Sequence, residues 1–120
     1  MGFLEFLLSL ILKISIGILG YIYGTYKSLR IGGFKEWNKW HDNLAKANDQ
    51  YGNVLLQYSL NDFTITKEGY KAGKRKETIS SYFGKNKVKA TRTILGVEIC
   101  NLLDAVFEDN HVVNSIDNNV

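Results

Sequence analysis

The stretch FLLSLILKISIGILGYIYGTY, residues 6–26, constrains this chain more than any other segment. It holds a single charge, Lys13, and as a helix it would reach about 30 Å, the thickness of a hydrocarbon core. Tyr21, Tyr23 and Tyr26 gather at its C-terminal end, where an aromatic belt belongs. The preceding MGFLE has no Lys or Arg, and no small-residue cleavage site follows, so the segment reads as a retained anchor. Lys27, Arg30, Lys35 and Lys39 follow it closely, and the positive-inside rule then puts the C-terminal part on the cytoplasmic side of a host inner membrane or virion membrane.

A lysine near mid-span costs about 2.5–3.5 kcal/mol on insertion scales. Ser9, Lys13, Gly17, Gly20 and Gly24 recur at helical spacing and share one face. Gly20-x-x-x-Gly24 is the small-residue spacing that lets helices approach closely. The expectation is a contact face for another transmembrane helix, from a second copy or from a partner protein.

The fold expected is mainly α: an anchor helix over residues 1–30, then a small helical membrane-proximal domain over 31–120. Gly32-Gly33 should bend the chain. Phe34, Trp37, Trp40, Leu44 and Ala47 then recur at helical spacing, and Trp37 and Trp40 join the tyrosines as membrane-interface candidates. VLLQYSL (54–60) reads as helix or strand, FTITK (63–67) alternates like a strand, and together they allow one short β-hairpin. ETISSYFGKNK should start a helix near Glu77 and Thr78 and stop it at Gly84. Val88, Thr91, Leu95, Ile99, Leu102 and Val106 form an apolar stripe that predicts one helix from Val88 to Phe107.

Charge is laid out unevenly. Residues 67–97 carry nine Lys/Arg against two Asp/Glu, giving +7, while residues 98–120 carry five acids and no Lys or Arg, giving −5. Lys71, Lys74, Arg75, Lys76, Lys85, Lys87, Lys89 and Arg92 make a basic block suited to an anionic surface. Beside an anchor, lipid phosphate is the nearer partner, and nucleic acid ranks below it. His41 and His111 stand in no metal-ligand spacing, and no nucleophile elbow, phosphate loop or zinc-protease motif is present, so no catalytic residue, metal or cofactor is expected. The lone Cys100 reads as a small buried hydrophobe.

DQYGNVLLQYSLNDFTITKEGYK, ETISSYFGKNK and DNHVVNSIDNNV resemble small proteins encoded in bacteriophage and prophage genomes, which carry a DETISS-like box and a downstream histidine. The matching positions are Glu77, Thr78, Ser80, Ser81 and His111. Arg75-Lys76 stand where the pattern has Asn-Pro-Asp before ETISS, so the acidic residue preceding Glu77 is missing. The resemblance implies a phage context and no mechanism. Glu77 could meet His111 and knit the basic turn to the acidic tail, while Thr78 and Ser80 also read as plain helix-start residues. The function expected is a non-enzymatic, membrane-anchored phage protein. It would link membrane to capsid protein in a lipid-containing virion, or assist lysis or exclusion. The alternatives are a membrane-tethered enzyme such as a wall hydrolase, and a nucleic-acid-binding module using the 71–92 block.

Overall fold

The computed structural model describes residues 2–120, and among them it is mainly helical with no strand. Five helices follow in order: α1 (Gly2–Leu55), α2 (Gln57–Phe63), α3 (Ile79–Lys89), α4 (Ile94–Val106) and α5 (His111–Asn114). Helix α1 is broken at Gly33, whose φ of 65° and ψ of −152° suit a residue without a Cβ. The chain divides into two compact units, Met1–Asn43 and Leu44–Val120.

In the first unit, Gly33 reverses the chain. Residues 2–32 form an outgoing arm, and 34–43 fold back along its later turns. Tyr21 stacks on Trp40 with ring centroids 5.5 Å apart, and Trp40 also lies against Gly24, where any Cβ would collide with the indole. The Nδ1–H of His41 donates to the Trp37 carbonyl at 2.8 Å, and Nε2 lies 2.9 Å from the Tyr21 hydroxyl. In the N-terminal part of the outgoing arm, Ser9 and Ser15 bond back to the Phe6 and Ile11 carbonyls of the same helix. Its apolar side chains from Phe3 to Leu19 are almost all exposed, and the helix is long and apolar enough to cross a membrane.

The second unit is organised around α3. Thr78 caps its start by accepting the Ser81 N–H at 3.1 Å, and Ala90 ends it in the left-handed conformation with φ 57°. Tyr82 and Phe83 on α3 join Leu60, Ile65, Cys100 and Val112 in the core, so Cys100 is buried as its surroundings suggest. The Tyr82 hydroxyl donates to the Leu60 carbonyl and lies 2.8 Å from Thr64 Oγ1, and burial pushes its pKa up to about 12.

Three local expectations are corrected. The 54–67 hairpin does not form: residues 54–55 end α1, 57–63 form α2, and strand-like pairing is confined to an isolated Ile65–Arg92 bridge. Tertiary contacts hold this region, because the buried Asn53 donates to the Lys74 carbonyl and Gly52 packs on Ile79. Gly84 does not stop α3. It is buried against the backbone of Val112 on α5, so its missing side chain serves close packing. The stripe from Val88 to Phe107 is two helices, parted at Ala90–Thr93, because Thr64 and Thr66 draw that segment into backbone bonds with Thr91 and Thr93.

Gly84→Ala should therefore lower the stability of the second unit by about 1–3 kcal/mol, through forced separation of α3 and α5. Urea unfolding of the detergent-solubilised full chain measures it. Gly17→Ala, where nothing lies within 4 Å, should cost nothing in the same experiment.

Candidate functional site

The Glu77–Ser81 box lies at the start of α3, and its side chains point to different partners. The fully buried Glu77 carboxylate pairs with Lys85 two turns on, and its Oε2 also accepts the Ser81 hydroxyl at 2.9 Å. Ser81 Oγ in turn accepts the Asp117 N–H at 2.9 Å, which ties the C-terminal stretch to α3. Lys85 reaches the Tyr70 hydroxyl as well. Burial disfavours its charge, but the bonds to Glu77 and Tyr70 outweigh this and raise its pKa.

Glu77 therefore does not meet His111. The histidine is brought to Ser80 instead, with Nε2 3.2 Å from Ser80 Oγ and Nδ1 3.6 Å from the Glu108 carboxylate. Ser80 and His111 line an open cleft of about 540 Å³, whose walls include Lys46, Asp49, Ile79 and Phe107. The Phe107 ring stacks on His111 at 4.6 Å.

Asp49 is the residue that local sequence reading misses, because it lies thirty positions from its partner. Its Oδ1 accepts the Ile79 N–H at 2.8 Å. Burial pushes the Asp49 carboxyl up, against the Ile79 hydrogen bond, the His111 charge and the bonds from Ser80 that pull it down. Asp49 and Thr78 thus occupy the N–H groups of Ile79, Ser80 and Ser81 at the start of α3.

The basic block separates into two groups. Lys85 is taken by Glu77, Lys87 by Asp104 at 3.4 Å, and Lys89 reaches the Glu68 carbonyl at 3.1 Å. Arg92 is half-buried beside Ile65. Lys71, Lys74, Arg75 and Lys76 remain exposed on one loop, with Lys74 over the Tyr70 ring at 5.0 Å. Gln50 and Asn53 side chains hold that loop through the Lys76 and Lys74 carbonyls.

In the first unit, Ser9 bonds back to the Phe6 carbonyl, Lys13 is exposed, and Gly17 and Gly20 face open space. Gly24 seats Trp40 of the same chain. Tyr21, Trp37 and Trp40 come together around His41, and Tyr23 and Tyr26 lie 6.4 Å apart on the same arm. The sequence-level interface candidates thus fall within about two helical turns of one another along the arm.

No protein-family model, curated protein or solved structure matches the chain.

Glu77→Ala would strand the Lys85 ammonium in a nearly buried site, so a loss of about 3–5 kcal/mol in chemical denaturation is expected. Lys71→Ala, on the exposed loop, should change stability by about 0.5 kcal/mol or less. Asp104 supplies an acid dependence. Burial would raise its pKa, but the Val112 N–H and the Lys87 ammonium hold it below the usual carboxylate value. Its contribution is complete above the unfolded pKa of about 3.9 and is lost as pH falls through the lower folded value. Asp104→Asn should flatten that part of the stability–pH curve.

Proposed function

We propose that this is a non-enzymatic phage protein anchored in a bilayer by the N-terminal part of α1, with its small helical unit held at the lipid surface. In a lipid-containing virion it would join membrane to capsid protein; in an infected cell it would assist lysis or exclusion. The observation that carries the reading is the outgoing arm, whose large apolar side chains have no protein to cover them. Lipid covers such a surface at no desolvation cost, whereas water does not. The hairpin supports it: Trp40 and His41 return to the level of Tyr21, so the chain re-enters the interfacial zone favoured by Trp and Tyr. The exposed Lys71, Lys74, Arg75 and Lys76 suit anionic headgroups.

A hydrolase is the second reading, because Ser80, His111 and Glu108 follow one another in the order nucleophile, base and orienting acid. It ranks lower for an electrostatic reason. The N–H groups that could stabilise an oxyanion at Ser80 are already taken, and the Asp49 carboxylate lies beside the hydroxyl.

The full chain expressed in a bacterium should stay with the membrane pellet after an alkaline carbonate wash. With the C-terminal part on the cytoplasmic side, a C-terminal tag should resist protease added outside intact spheroplasts. Release into the supernatant would sink the anchor, and cleavage of the tag would reverse the orientation. Fluorophosphonate labelling abolished by Ser80→Ala would put the hydrolase first.

A further inference from the structure

The cleft beside Ser80 and His111 has an electrostatic character that membrane anchoring does not explain. Its volume of about 540 Å³ falls within the range of small-molecule sites, about 300–1,000 Å³. Ile79, Leu103 and Phe107 give it apolar walls. Phe107 stacks on His111 and is still 63% exposed, so part of its ring is open to a ligand. Charge decides which ligand such a space suits. Asp49 is half-buried in the wall, and burial disfavours its carboxylate. Among the described residues the acids in ion pairs are Glu77, Asp104 and Glu108, so Asp49 has no cation of its own. His111 faces it from α5 and offers a charge only when protonated. Hydrogen bonds from Ile79 and Ser80 take three of the roughly four acceptor positions of a carboxylate, which leaves one for a ligand.

We propose that this cleft binds an organic ammonium ion with an apolar or aromatic body. The ammonium pairs with Asp49 and offsets the burial of its carboxylate, while the body covers Ile79, Leu103 and the open part of the Phe107 ring. An anion is the poorer fit. The N–H groups at the start of α3 are already bonded to Asp49 and Thr78, so they are not free to hold one. Asp49 repels an anion, as does Glu108, whose carboxylate lies 3.6 Å from His111 Nδ1. Against them stands one exposed ammonium in the lining, Lys46, a turn before Asp49 on α1. Lys46 therefore works against a cationic ligand, and its removal has a sign that separates the two kinds of site. The cleft lies wholly within the second unit, so its chemistry is independent of the anchor.

Solution NMR of the isotope-labelled full chain in nonionic detergent tests the site with three probes of similar body and different charge. They are phenethylammonium, neutral phenethyl alcohol and anionic hydrocinnamate. The amide signals of Ile79 and Ser80, which bond Asp49, are the reporters. Phenethylammonium should shift them saturably and bind about tenfold more tightly than the alcohol, with hydrocinnamate weaker still. Asp49→Asn keeps an oxygen for the Ile79 N–H and should reduce the ammonium's affinity to that of the alcohol. Phe107→Ala, at an exposed position, should weaken it about threefold. Lys46→Ala should tighten it by about two- to fivefold, because a like charge is removed. Circular dichroism checks that each variant is folded, and the Phe107 and Lys46 variants decide the matter if Asp49→Asn is not. Equal affinities for the three probes, tightest binding by hydrocinnamate, or no binding overturns the proposal. So does a folded Asp49→Asn chain that binds like its parent, or weaker ammonium binding after Lys46→Ala.

Discussion

The second unit depends on α3 being buried on nearly every side while carrying polar residues on every side. A buried helix ordinarily meets its surroundings through apolar side chains. Here Glu77 lies just before α3, and Ser80, Ser81 and Asn86 along it are all buried, so each needs a partner. Asn86 shows how the need organises the fold. Its Oδ1 accepts the Tyr70 N–H and the Thr91 hydroxyl, and its Nδ2 donates to the carbonyls of Tyr70 and Tyr82. One amide thereby fixes the loop before α3 and the turn after it. Glu77, Ser81 and Lys85 do the same at the other end, reaching Tyr70 and the backbone of Asp117. Polar networks of this kind specify one arrangement more sharply than apolar packing, because each misplaced group carries a desolvation penalty; Glu77 Oε1 is left without a hydrogen-bond partner.

The first unit obeys the opposite constraint. Its outgoing arm presents large apolar side chains to its surroundings, and hydrogen bonds to the returning segment are made at Tyr21. The reversal at Gly33 brings a tryptophan onto Gly24, and beside it His41 Nε2 meets the Tyr21 hydroxyl while Nδ1–H donates to the Trp37 carbonyl. Aromatic bodies with polar tips suit a boundary between hydrocarbon and water, and the hairpin brings Tyr21, Trp37, Trp40 and His41 together. Gly24 also shows how a small-residue spacing can be divided between duties: it seats Trp40 of its own chain, while Gly17 and Gly20 stay open on the exposed arm.

The sequence by itself determined the features that rest on local chemistry. The apolar run, the mainly helical character, the Gly33 bend, the Thr78 cap and the burial of Cys100 follow from composition, hydrogen-bonding side chains within three residues, and helical periodicity. Only the tertiary structure decided which residues meet. Asp49 reaches Ile79 across thirty positions, His111 reaches Ser80 across thirty-one, and Lys85 takes the acid that the box offered to a histidine. The same holds for Gly84, which reads as a helix stop until α5 is seen to need its missing side chain, and for residues 54–63, whose alternation gives way to packing on Ile79 and the Lys74 carbonyl. Periodicity reports that a stripe is apolar and not what covers it, so the sequence did not show that on α4 Ile99 packs on the core while Leu95, Leu102 and Val106 stay exposed. Propensities and caps act over a few residues, whereas a partner is chosen by the path of the whole chain.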